Sequence, residues 1–195
     1  MEPENALAVP RRVAVVGTTG SGKTTFATRL ATTLAARHVE LDALYHGPNW
    51  TPAEPDVFRT RVADAIACER WVADGNYNDA SPLIWAAADT VVWLDYAFPR
   101  VFWQLARRTV GRSVRREELW NGNRESLWWH FLPNDRSLFY WAAKTHWKRR
   151  RTFPEQLAKF PHLRVERLRS PRDAEHYLSI IERVASQVAS DAAAK

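Results

Sequence analysis

With 195 residues, 46% hydrophobic and 26% charged, the chain has the size of one folded domain and is too apolar to be disordered throughout. A single cysteine, Cys68, excludes an intramolecular disulfide and argues against a cysteine-based metal site. No run approaches the roughly 18 apolar residues of a membrane span, and the opening stretch, with Glu2 and Glu4, lacks the apolar core of a secretory signal.

A soluble, cytoplasmic protein is therefore expected, with residues 1–10 as a flexible N-terminus and 11–195 as the folded unit. Charge is spread unevenly. The net +6 conceals a segment from Arg100 to Arg151 with 13 Lys and Arg against four Asp and Glu, which also holds five of the ten tryptophans. A basic, aromatic-rich segment in an otherwise weakly acidic chain implies a surface that meets an anion: a phosphate, a nucleotide or nucleic acid.

In chain order, Arg12–Val16 is a β-branched run that stops at Gly17 and reads as a buried parallel strand. After a Gly/Thr/Ser loop, Lys23–Arg37 repeats Phe26, Leu30 and Leu34 at helical spacing. A second strand, 38–41, ends at Asp42. The following 43–50 reads as a turn around Gly47-Pro48-Asn49, and a helix is expected over 55–69. Trp71–Ala73 is a third strand ending at Asp74-Gly75, Ser81-Pro82 opens a short helix, and Thr90–Leu94 is a fourth strand ending at Asp95. Pro99 opens the helix that carries Arg107 and Arg108. Residues 111–134 read as polar and irregular, and 135–151 as helix. Leu163–Leu168 is a fifth strand, and Ser170 with Asp173 forms a capping-box start for the last helix. Strands alternating with helices predict an α/β fold, a five-stranded parallel sheet with helices on both faces.

One segment carries chemistry outright. Gly17-Thr18-Thr19-Gly20-Ser21-Gly22-Lys23-Thr24 matches G-x-x-x-x-G-K-[ST], the phosphate-loop (Walker A) pattern, between an apolar strand and an amphipathic helix. Glycines let the backbone coil round a phosphate and turn its N–H groups inward, and the helix behind points its positive end at the same anion. Gly17, Thr18, Gly20, Ser21, Gly22, Lys23, Thr24 and Thr25 are the expected nucleotide-binding residues. Lys23 would reach the β- and γ-phosphates, and Thr24 would help hold Mg²⁺. No histidine spacing suggests another metal.

Phosphoryl transfer needs further groups for the metal, the acceptor and the transferring charge. Asp42 and Asp74 end strands beside the loop, where a parallel sheet puts residues to use. Asp42 would position or deprotonate an acceptor, and Asp74 would support the metal. Asp95 also ends a strand, further from the acceptor. Arg107, Arg108, Arg112, Arg115 and Arg116 occupy a lid-like place, whereas Lys148–Arg151 reads as a basic helix end complementing the dipole. Tyr45, His46, Trp50 and Tyr77 are either packing or the walls of an acceptor pocket, and Trp128–Phe131 reads as the core of a lid subdomain.

Together the loop, Val39–Leu44 with Gly47–Trp50, Trp71–Tyr77, Val91–Asp95 and Glu117–Ser126 resemble the adenylate-kinase-related P-loop kinases, often labelled DNA topology modulation (FlaR-like) proteins or AAA-family ATPases. That resemblance implies a nucleoside-monophosphate-kinase-like P-loop NTPase fold with an acceptor-binding segment (43–70) and a small helical lid (107–134). It also implies ATP and Mg²⁺ as cofactors. Lys23 and Thr24 match the loop's phosphate and magnesium residues, Asp42 the strand-end carboxylate facing the acceptor, and Arg108 and Arg112 lie where lid arginines fall. Asp74-Gly75 is followed by Asn76-Tyr77 and not by Phe-Pro-Arg, so the arginine that clamps an acceptor monophosphate is missing. That permits a non-phosphorylated acceptor such as a nucleoside.

The expected activity is transfer of the γ-phosphate of ATP to a small acceptor by an ATP-dependent kinase. The alternatives are a nucleotide-dependent regulator touching nucleic acid, or an NTPase without a small-molecule acceptor. The expected partners are ATP and the acceptor. The basic segment admits nucleic acid, although no DNA-reading motif is present, exposed tryptophans admit a homodimer, and no membrane is expected.

Overall fold

Five short strands align side by side, all parallel, in a computed structural model that describes residues 9–115, 121 and 138–193. They are β1 (Arg12–Gly17), β2 (Arg37–Glu40), β3 (Trp71–Asp74), β4 (Thr90–Leu94) and β5 (Arg164–Leu168), in the order β2-β3-β1-β4-β5. Because β1 is central, its carboxyl end at Gly17 lies between those of β3 and β4, with Val15 paired to Asp74 and Gly17 to Leu94. The phosphate loop thus leaves the middle of the sheet with Asp74 as its lateral neighbour.

The helices are α1 (Lys23–Thr33), α2 (Leu41–Tyr45), α3 (Pro55–Ala65), α4 (Ser81–Ala87), α5 (Phe98–Arg115), α6 (Leu138–Leu157) and α7 (Pro171–Ala193). Alternation along β1 sorts them onto two faces. Ala14 and Val16 pack with Phe58 and Val62 of α3, Trp85 of α4 and Phe153 of α6. Val13 and Val15 pack with Phe26 and Leu30 of α1 and Tyr177 and Ile181 of α7. Both cores are closed, with Phe58, Leu30 and Trp71 fully buried. The α/β sheet with helices on both faces is therefore as the pattern predicts.

The boundaries differ in instructive places. α1 stops at Thr33, four residues before Arg37, because Ala35 takes a left-handed conformation (φ 47°) and turns the chain into β2. Residues 41–45, expected as strand end and turn, form α2, which places Asp42 in the first turn of a helix rather than at the end of β2. α3 ends at Ala65, short of Glu69. α5 continues through Gly111 to Arg115, so the first nine residues of the segment 107–134 extend a sheet-packed helix. α6 runs past Arg151 to Leu157 with Pro154 inside it. The start of α7 is the capping box expected: Asp173 Oδ2 accepts from the Ser170 N–H at 3.0 Å, and Ser170 Oγ accepts from the Asp173 N–H at 3.2 Å. Arg116, Glu117–Trp120, Trp128–Phe131 and the rest of 122–137 lie outside the described residues. Among the described residues no helix is long and apolar enough to cross a membrane.

Candidate functional site

The loop closes on itself before α1 begins. Ser21 N–H donates to the Thr18 carbonyl at 3.0 Å, and Gly22, at the helix entrance, takes φ 86°, a conformation that favours glycine. Gly20 (φ 89°) has a second constraint: a Cβ there would lie 2.8 Å from Leu105 Cβ and 2.9 Å from the Val101 carbonyl. The loop is therefore pressed against α5, and its curvature is fixed by packing as well as by backbone freedom. Thr18 and Ser21 are buried, and the Ser21 hydroxyl has no hydrogen-bond partner among the described residues. Thr25 is exposed on the first turn of α1.

Asn76 holds the loop from the β3 side. Its Oδ1 accepts from Gly17 N–H at 3.2 Å and its Nδ2 donates to the Gly17 carbonyl at 2.6 Å. From the other side His146 of α6, fully buried, meets Thr18 Oγ1 through Nδ1 at 3.0 Å.

Lys23 Nζ donates to the Thr18 carbonyl at 3.3 Å. Its pKa is lowered to about 8, first by burial and then by the charge of Arg149, with Arg108 adding to the fall and Asp42 and Asp74 opposing it. Arg149 is itself pushed down to about 10 by burial. Three cations from α1, α5 and α6 thus share one low-dielectric place at the loop.

Across from them stand oxygen donors. Thr24 Oγ1 donates to Asp74 Oδ2 at 2.7 Å, and His38 Nε2 meets Asp74 Oδ1 at 3.0 Å. Asp74 is 5% exposed, and this hydrogen bond raises the pKa of His38. A hydroxyl and a carboxylate oxygen side by side at a phosphate loop suit Mg²⁺, which takes few protein ligands and completes its shell with water and phosphate oxygens. No group of three His, Cys, Asp or Glu residues able to hold a metal stands together among the described residues, so phosphate would have to supply the rest of the shell.

Asp42 lies at the next strand end, in an aromatic setting. Tyr77 O–H donates to Asp42 Oδ1 at 2.5 Å and lies 3.5 Å from His46 Nε2. Tyr45 packs on Tyr77 (ring centroids 4.6 Å apart), Phe58 (5.1 Å) and His46 (5.0 Å), and Trp50 packs edge-on against His46 (5.3 Å). Burial, followed by the charge of Asp42, holds the Tyr77 phenol far above its ordinary pKa, and burial lowers that of His46. Asn121 Nδ2 donates to the His46 carbonyl at 2.5 Å.

The arrangement brings Lys23, Thr24, Asp42, Asp74 and Arg108 to one edge of the sheet. Arg112 belongs to α5, but its side chain lies outside the described part. Three sequence readings are corrected. Arg107 lies against the Trp103 ring (5.5 Å to its centroid) on the surface rather than near phosphate. Asp95 is paired with Arg150 and with Arg167, each at 2.6 Å, and ties β4 to α6 and β5. The Lys148–Arg151 run is not a helix end: α6 continues, Arg150 holds Asp95, and Arg149 turns to the loop.

Sequence reasoning missed His38, Asn76, His146 and Arg149 as site residues. For the last two a signal existed: Ala142, His146, Arg149, Phe153 and Leu157 recur at three- and four-residue spacing and form the inward face of α6. A separate cavity of about 390 Å³, lined by Trp93, Pro154, Leu157, Phe160 and Leu163, includes no loop residue.

No protein-family model matches the sequence, and no curated protein matches it as a relative. Solved structures do resemble the fold. A shikimate kinase from Bacteroides thetaiotaomicron aligns with TM-score 0.52 at 15% identity, over 92% of this chain and 98% of that one. A gluconokinase from Sinorhizobium meliloti 1021 aligns with TM-score 0.49 at 15% identity, over 94% and 98%. A sugar kinase from Janibacter sp. HTCC2649 aligns with TM-score 0.45 at 18% identity, over 90% and 92%. At these identities the likeness concerns fold, and the shikimate kinase match, with the five-stranded parallel sheet and its loop, makes this the fold of a P-loop kinase.

Proposed function

We propose that the protein is an ATP- and Mg²⁺-dependent phosphotransferase acting on a small hydroxyl acceptor, of the adenylate-kinase-related type that the sequence resembles. One observation carries the reading. Lys23, Arg108 and Arg149 converge on the phosphate loop strongly enough to depress the Lys23 pKa, and a polyphosphate is the ligand that relieves such crowding. The shikimate kinase of similar fold is named for a small-molecule acceptor, which agrees with this reading.

The loop amides and Lys23 would hold the β- and γ-phosphates, with Arg108, Arg149 and the lid residue Arg112 set against the charge of the transferring group. Thr24 and Asp74 would hold Mg²⁺, which supplies charge neutralisation between the β- and γ-phosphates. Asp42 would accept the proton of the acceptor hydroxyl as its oxygen bonds to the γ-phosphorus and the bond to the β-phosphate oxygen breaks, releasing ADP. Dependence on ATP makes the cytoplasm the working compartment.

Titration with labelled ATP and Mg²⁺, followed by a coupled ADP-release assay with phosphorus NMR, tests the proposal. Saturable binding and acceptor-dependent ADP release are expected; a protein that binds no ATP refutes it. A regulator that touches nucleic acid is the second reading, favoured by the exposed Trp103, with Arg100 and Arg107 over its ring, and by the exposed Trp141 and Trp147. Its mark would be binding that weakens steeply with salt.

A further inference from the structure

The surroundings of Asp42 narrow the acceptor, given the phosphotransferase reading on which this rests. Asp42 uses one carboxylate oxygen, Oδ1, for the Tyr77 hydroxyl, while Oδ2 has no hydrogen-bond partner among the described residues. Around that oxygen stand ring faces and edges: Tyr45, His46 and Tyr77, half-buried, with Trp50 37% exposed at the rim. The buried His46 Nδ1 likewise has no partner among the described residues.

The local field is negative. Tyr77 feels Asp42, Tyr45 and Asp74, and His46 feels Asp42; no cation acts on either. Arg61 of the neighbouring α3 donates to the Leu44 carbonyl at 3.0 Å. The cations of the site, Lys23, Arg108 and Arg149, belong instead to the loop, where the donor phosphates would consume their charge.

From this we infer that the acceptor is a ring compound with a free hydroxyl and no negative charge, a neutral sugar or nucleoside, that lies on the Tyr45–His46–Trp50–Tyr77 surface and offers its hydroxyl to Asp42 Oδ2. Aromatic walls with a few placed polar groups suit a ligand that has a flat apolar face and several hydroxyls. A carboxylate or phosphate there would stand about 5 Å from Asp42. At an effective dielectric of about 20, that repulsion weakens binding on the order of a hundredfold.

The test offers the full-length protein, with ATP and Mg²⁺, matched pairs of acceptors: a pyranose and its uronate, a nucleoside and its 5′-monophosphate. Transfer is followed by phosphorus NMR, and ATP binding is measured separately on the same preparation. The neutral member of at least one pair should be phosphorylated with kcat/KM about tenfold or more above its charged partner. Trp50→Arg, which places a cation at the exposed rim, should narrow or reverse that ratio. Equal or better turnover of a charged partner overturns the proposal. So does the absence of transfer to every neutral member by protein that binds ATP saturably, or a ratio indifferent to Trp50→Arg. Failure to bind ATP at all would instead remove the phosphotransferase reading underneath.

Discussion

The two ends of the candidate site are built on opposite principles. At the phosphate loop, one contiguous stretch supplies backbone and side chains, and cations from three helices crowd together without a carboxylate hydrogen-bonded to Lys23. At Asp42, four elements contribute one side chain or two each, the rings are half-buried, and the charge is negative. A low-dielectric place enriched in one sign of charge is destabilising until its ligand arrives. The contrast therefore separates a half that awaits an anion from a half that repels one.

Two substitutions break this comparison most strongly, and they should fail differently. Lys23→Ala removes a charge aimed at the transferring phosphates and should lower both ATP affinity and turnover, the latter by about 10²–10³-fold. Asp42→Asn should leave ATP affinity within about twofold and cost about 10²–10⁴-fold in turnover, the range of a positioned general base. Calorimetric ATP titrations beside the ADP-release assay distinguish them. Equal loss of ATP binding in both variants would show that the halves are one.

Arg149 sharpens the boundary of the cationic half. Arg149→Ala should reduce turnover by about 10–100-fold, the worth of a hydrogen bond to a charged group. Arg151→Ala, an exposed position two residues on, should change it less than twofold. Similar effects from both would return the run to a generic basic surface.

These residues also show why one half was legible and the other was not. The loop declares itself because its chemistry is local: Gly17 to Thr24 must be contiguous to wrap a phosphate, so spacing alone identifies it. The strand-end carboxylates Asp42 and Asp74 followed from parallel topology, which sequence alternation reveals. Asn76 was visible only as turn chemistry, since its clamp on Gly17 exists through the β1–β3 pairing. His38 was hidden in a four-residue strand, because its partner Asp74 is 36 residues away. Arg149 was obscured by the charge of its neighbours, although the helical spacing of His146, Arg149 and Phe153 marked its face.

A smaller effect follows from the Lys23 pKa of about 8. Bound phosphate favours the charged amine, so ATP binding takes up a proton once the free protein has lost it. Affinity should be flat from pH 6.5 to 7.5 and fall above pH 8, by at most about tenfold per unit. The unliganded fold should show the opposite trend. An unfolded lysine keeps its ordinary value near 10.5, so between pH 8 and 10.5 the unfolded chain holds more protons, and this group's contribution to stability rises with pH. ATP affinity unchanged to pH 9.5 would separate Lys23 from the phosphate.

The least effect belongs to the turn that delivers β2 to the site. α1 ends as a Schellman motif, with Ala36 N–H donating to the Ala31 carbonyl at 2.9 Å and Ala35 N–H to the Thr32 carbonyl at 3.2 Å. That motif places Ala35 at φ 47°, where glycine is the usual residue and a side chain costs about 1–2 kcal/mol. Helix propensity pointed the other way, since alanine is the best helix former, which is why the sequence reads as helix to Arg37. The stop is imposed by packing: Leu34 is buried against the α1–α7 core, and Arg37 N–H must reach the Arg70 carbonyl at 3.1 Å to start β2. Ala35→Gly removes the conformational cost but loosens the unfolded chain, for a net gain of about 0.5–1 kcal/mol, or roughly 1–4 °C in Tm. ATP affinity should not change, because the residue is exposed and remote from both halves of the site. A Tm that falls would mean that the turn is held in a conformation alanine tolerates without strain, and that His38 reaches Asp74 at no cost to the fold.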